Sequence, residues 1–85
     1  MFLAISPTVK VNRSHVVEVR LFQDLDIYSL TEINGESGYM FRCTRDGRDY
    51  VFTSTSTSML VLFMVDGTIH TVKDTETAEM IYECL

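Results

Sequence analysis

The sequence predicts an α+β fold: an antiparallel sheet of five or six strands, strongly curled or closed into a small barrel, with one C-terminal helix. A two-layer sheet with the helix laid across one face satisfies the same pattern. Three observations carry this expectation. Asn34-Gly35, Asp46-Gly47 and Asp66-Gly67 each separate runs rich in β-branched and aromatic residues, the strongest short-range hairpin signal. Two of these turns, taken independently, put the same residues on one apolar face. The last residues then change from a period of two to helical spacing.

The elements follow in chain order. Thr8 to Val11 reads as a short edge strand. His15 to Phe22 reads as a longer one, with Val17, Val19 and Leu21 on one face. Gln23-Asp24-Leu25-Asp26 is a turn, bulge or bend. A three-stranded meander comes next, over residues 26–33, 37–45 and 48–55. A two-residue type I′ loop needs positive φ at both central residues, which Asn-Gly and Asp-Gly tolerate. Such a loop at Asp46-Gly47 sets Cys43 opposite Tyr50 and Phe41 opposite Phe52. The same loop at Asn34-Gly35 sets Leu30 opposite Tyr39 and Tyr28 opposite Phe41. Tyr28, Leu30, Tyr39, Phe41, Cys43, Tyr50 and Phe52 thereby share one face, and Met40, Arg42, Thr44, Asp49, Val51 and Thr53 share the other. A slip of one residue destroys the agreement.

Thr53 to Ser58 is an unbroken Ser/Thr run, expected to pass from a strand end into a solvated connection. Residues 59–65 are apolar on both faces and predict a central or sandwiched strand, though a short buried helix has the same composition. A two-residue loop at Asp66-Gly67 pairs residues 59–65 with 68–73, placing Phe63 opposite His70 and Val61 opposite Val72. Beyond Asp74-Thr75, the apolar residues Ala78, Ile81, Tyr82 and Leu85 recur at helical spacing. Asp74 or Thr75 caps this helix, and Glu76 and Glu79 suit the positive end of its dipole.

Composition bounds the class. With 85 residues the chain is one domain, 1–85, and buries only about 60% of the surface its unfolded form exposes. Hydrophobic residues at 46% exclude intrinsic disorder. The longest apolar run, Met59 to Val65, falls far short of the roughly 20 residues of a membrane helix, and the start lacks a signal-peptide pattern. A cytoplasmic protein is expected. Two cysteines, Cys43 and Cys84, are too few for a disulfide framework; they leave room for one bridge and are expected as buried free thiols.

Catalytic and cofactor signatures are missing. His15 and His70 lie far from either cysteine in sequence, so no metal motif forms, and no cofactor is expected. No nucleophile elbow and no glycine-rich phosphate loop occurs. The carboxylate pairs Asp24/Asp26 and Asp46/Asp49 flank turns and read as solvated turn carboxylates, outside the kind of cleft that acid–base work needs. His70, on a strand face, reads as a half-buried packing residue.

Charge gives the remaining leads. The net charge is −5, with 12 acids against 7 Lys and Arg. That balance disfavours nucleic acid as a partner, because phosphate binding draws on Lys and Arg. Arg42, Arg45 and Arg48 nevertheless gather at the Asp46-Gly47 hairpin beside aromatic residues, the elements of a single-stranded nucleic-acid site. Asp74, Glu76, Glu79 and Glu83 form an acidic cluster in the helix, and Asp24 and Asp26, with Glu32 and Glu36, form a second on the first hairpin.

The expected function is therefore non-enzymatic: a small acidic protein-binding module. It would be an inhibitor or regulator of a partner with a basic surface, such as a nucleic-acid-handling protein. Asp74, Glu76, Glu79, Glu83, Asp24 and Asp26 are its candidate contact residues. In style (small, acidic, β-rich, expected to be complete from Met1) the chain looks like the accessory proteins with which bacteriophages block host factors, a likeness of composition alone. The alternatives are single-stranded nucleic-acid binding through Arg42, Arg45 and Arg48, or a homo-oligomeric structural subunit using sheet edges or segment 59–65.

Overall fold

The computed structural model describes all 85 residues. Eight strands and one helix form an α+β fold: β1 (Phe2–Ala4), β2 (Lys10–Asn12), β3 (Val16–Phe22), β4 (Ile27–Ile33), β5 (Glu36–Arg45), β6 (Arg48–Ser54), β7 (Met59–Met64), β8 (Ile69–Val72) and α1 (Thr75–Cys84). The strands make three small antiparallel sheets in place of the expected single sheet of five or six, and no barrel closes. Their orders are β1-β2, β3-β7-β8 and β4-β5-β6. No helix is long and apolar enough to cross a membrane.

Strand β7 explains the layering. All six of its residues are buried. Leu60, Leu62 and Met64 face one core, with Leu3, Ile5, Val11, Val72 and the helix residues Ala78 and Ile81. Met59, Val61 and Phe63 face a second core, with Phe22, Phe41 and Cys43. The β3-β7-β8 sheet is therefore the middle layer, between the β4-β5-β6 sheet on one side and the helix with β1 and β2 on the other. A strand apolar on both faces can be satisfied only in that position.

The meander keeps the register its turns predict. Asn34-Gly35 and Asp46-Gly47 both take positive φ, 51° and 82° in the first, 53° and 77° in the second. Cys43 pairs with Tyr50, Phe41 with Phe52 and Leu30 with Tyr39. Departures begin at a β-bulge between Ile27 and Ser29. There Ile27, not Tyr28, lies opposite Phe41 and packs on the second core. Tyr28 turns to the outer face, where the Arg42 guanidinium sits 5.4 Å from its ring. The exchange buries a wholly apolar side chain and leaves a phenol in water. Leu30 keeps its expected partner but lies on an edge strand and is 73% exposed. A second bulge, between Val16 and Glu18, turns Val17 out of the expected Val17/Val19/Leu21 face and leaves it exposed.

The third hairpin differs by one residue. Gly67 alone takes positive φ. Its N–H donates to the Met64 carbonyl at 3.0 Å, and the Met64 N–H donates to the Thr68 carbonyl at 2.9 Å. This is a type I turn closed by a glycine bulge, a three-residue loop instead of two. Leu62 therefore pairs with His70 and Phe63 with Ile69. His70 stays half-buried but belongs to the helix-side face, and Ile69 joins the aromatic core.

The helix is capped by Asp74, whose carboxylate accepts from the Thr77 amide at 2.9 Å and hydroxyl at 2.6 Å. Ala78 and Ile81 are buried and Leu85 packs beside them, but Tyr82, expected in the same stripe, is about half exposed (48%). The Ser/Thr run is less solvated than expected: Ser54 and Ser58 are buried. The cysteines also divide. Cys43 is buried and burial pushes its thiol pKa up, whereas Cys84 is exposed on the last helical turn, against the expectation of two buried thiols.

Candidate functional site

The structure brings Asp24 and Asp26 of one acidic region and Glu79 of the other to the rim of one concavity. Between β3 and β4 the chain makes a single 3₁₀ turn over Asp24–Asp26. The Gln23 N–H donates to the Asp26 carboxylate at 2.9 Å, and the Asp26 N–H returns to the Gln23 carbonyl at 2.8 Å. These reciprocal bonds fix the turn. At its apex Leu25 is 100% exposed, between Asp24 and Asp26. Beside it lies a concavity of about 490 Å³, bordered by Asp24, Leu25 and Asp26 on one side and by Thr75 and Glu79 of α1 on the other.

The Ser/Thr run forms the floor. Ser56 Oγ lies 2.7 Å from Thr75 Oγ1 and donates to the Ser58 carbonyl at 3.0 Å. Ser58 Oγ donates to the Phe22 carbonyl at 3.3 Å. The hydroxyls thus tie the end of β3 to the start of α1, holding the two acidic elements at a set spacing.

The acids do different work. Asp74 is a helix cap: the Thr77 hydroxyl and amide hold its carboxyl below the usual carboxylate range. Asp26 closes its own turn. Glu76, Glu79 and Glu83 are exposed, form no ion pair, and lie on the helix face opposite Ala78 and Ile81. Asp24 is likewise unpaired. Of the six candidate contact residues, Asp24, Glu76, Glu79 and Glu83 thus present free charge. Leu25 lies outside the candidate residues that charge marks in the sequence. Its signal is an apolar residue isolated between two acids at a turn, a position where no core can receive it.

The three arginines do not gather on one surface. Arg42 lies on the outer face, paired with Asp49 at 2.8 Å. Arg45 turns inward, 3.2 Å from Glu18 and 3.3 Å from Asp46, with its guanidinium 4.9 Å from the Phe63 ring centroid. Arg48 forms no ion pair. Glu18 also binds Arg20 at 2.6 Å, and Arg20 donates to the Thr44 carbonyl at 3.3 Å. These bonds clamp the middle sheet to the outer one, and Arg20, then Arg45, hold the Glu18 carboxyl below its usual range. The clamp, too, lies outside the candidate residues of the sequence. Its trace is Glu18 and Arg20 at alternate positions of a strand whose other face is apolar.

His15 and His70 line a cavity with Asp66, and neither cysteine borders it. No three His, Cys, Asp or Glu side chains gather to hold a metal ion. Of segment 59–65, residues 59–64 are wholly buried between the layers and only Val65 is exposed. No protein-family model, curated protein or solved structure matches the chain.

Proposed function

We propose that the chain is a non-enzymatic, cytoplasmic protein-binding module, an inhibitor or regulator that docks a basic-surfaced partner across the Asp24–Asp26 turn and helix α1. The observation that supports this reading is Leu25: a fully exposed aliphatic side chain on a hydrogen-bonded turn, beside a concavity rimmed with acids. Burying a leucine is worth about 1.5–3 kcal/mol, a gain the free chain forgoes and a complex recovers. A central apolar anchor ringed by polar groups is the usual anatomy of a protein interface. Asp24, Glu76, Glu79 and Glu83 add a field that attracts basic surfaces, and such surfaces mark proteins that handle nucleic acid. The likeness to phage-encoded inhibitors rests on composition.

The test begins with the partner, isolated by affinity from the source cell and identified by mass spectrometry. Association is then followed by stopped flow against ionic strength. Reversing Glu79 and Glu83 to Lys slows association of the wild-type partner several-fold at low salt and leaves the melting temperature nearly unchanged, because neither side chain supports the fold. Equal and salt-independent rates for the two proteins reject the acidic face as the docking surface.

A further inference from the structure

The end of the molecule where the Asp46-Gly47 and Asp66-Gly67 turns meet holds a second site, independent of the acidic groove. A cavity of about 330 Å³ opens there between the outer and middle sheets, at the small end of the 300–1,000 Å³ or so of small-molecule sites. Tyr50 and Phe63 form its aromatic wall, their rings edge to face at 5.5 Å. Arg45 and Arg48, directly paired across β5 and β6, supply its charge. Arg45 is fixed from behind by Glu18 and by its stack on Phe63, with about a quarter (26%) of its side chain exposed. Arg48 has no partner.

Two like charges directly opposite on a sheet repel, so the pairing needs anionic company. Within the protein, Arg20 and Arg45 share Glu18, and Arg45 also meets Asp46. Three guanidiniums, those of Arg20, Arg45 and Arg48, against two carboxylates leave one positive charge, that of Arg48. Asp66 does not cancel it: its carboxylate is bound to the Thr68 amide at 2.9 Å and faces the cavity of His15 and His70.

From the aromatic wall, the oriented Arg45 and the single uncompensated charge, we infer that this cavity binds a small planar aromatic carboxylate. The ring lies against Tyr50 and Arg45, and the carboxylate accepts from the Arg48 guanidinium. One net positive charge matches a monoanion; a phosphate dianion is left half-neutralised beside Asp46 and Glu18.

The test is a titration of the whole ¹⁵N-labelled chain by NMR with three probes of one ring system: 2-naphthoate, neutral 2-naphthalenemethanol and 2-naphthyl phosphate. The expected result is saturable shifts at Arg48, Tyr50, Gly67 and Thr68 with 2-naphthoate, and weaker binding of the other two. Arg48→Gln weakens 2-naphthoate binding by about tenfold, the worth of one charge-assisted hydrogen bond. Arg48 is exposed and unpaired, so the variant keeps its fold, which its own spectrum verifies. No saturable shift at these residues, equal affinity for the neutral probe, tighter binding of the phosphate, or an unchanged affinity in Arg48→Gln overturns the inference.

Discussion

Phe41→Ala lowers the unfolding free energy by about 3–5 kcal/mol, and Met40→Ala by clearly less. Phe41 is 0% exposed. Its ring stacks on Phe22 at 5.4 Å between the outer and middle sheets, where Met59, Val61, Phe63 and Cys43 complete the core. Removing it opens a cavity that two hydrogen-bonded sheets cannot collapse to fill. Met40 points to the opposite, outer face and is half-buried, so truncation there takes away fewer contacts. Small domains unfold at a cost of only about 5–15 kcal/mol, so the Phe41 variant stands near the limit of folding. Urea titrations of both variants measure the difference. Equal losses contradict the face assignment on which the sandwich rests.

Leu62→Ala costs about 2–5 kcal/mol through the other core. Leu62 is fully buried on the helix side of β7, in one cluster with Ala78 and Ile81 of α1 and with Leu3 and Val11 of the small β1-β2 sheet. Ten residues of helix are too few to persist alone, so α1 exists because it docks here. Val65→Ala, one residue beyond β7 and exposed, is the control and costs little. A loss for Leu62→Ala no greater than for Val65→Ala would show that the helix layer does not depend on β7.

The sequence exposed these two cores unevenly. Both type I′ hairpins were legible because Asn34-Gly35 and Asp46-Gly47 impose backbone angles that other residues resist, and the angles set the register. Asp66-Gly67 has the same letters but a different loop, because a type I turn with a glycine bulge also accepts Asp before Gly. Nothing local distinguishes the two. The bulges at Val17 and Tyr28 follow from competition for buried slots between sheets, which no single strand records. The same holds for the division into three sheets. It depends on the Gln23–Asp26 turn carrying the chain from one layer to the next, where the residues alone allow a turn, bulge or bend.

The candidate surfaces were legible in charge and not in shape. Glu76, Glu79 and Glu83 fall opposite Ala78 and Ile81 by helical spacing alone. That Asp24 faces Glu79 across one groove is a tertiary fact, produced by Ser56, Ser58 and Thr75 joining two distant segments. Asp74 shows the converse: an acid in the same cluster whose charge is spent on capping the helix. Arg42, Arg45 and Arg48 recur every third residue, and a strand sends such a series to both faces. Arg42 therefore parts from Arg45, and only the pair Arg45 and Arg48 meets.

The claim that Leu25 anchors a partner is tested most directly by placing a photo-crosslinking phenylalanine analogue at position 25, and separately at the exposed outer-face position Thr53, in the cell that makes the protein. The turn carries Leu25 wholly in solvent, so the analogue is tolerated there. One discrete crosslinked product is expected from position 25, reduced when Glu79 and Glu83 are reversed to Lys, and none from position 53. A product from position 53 alone, or none from position 25, would contradict that claim.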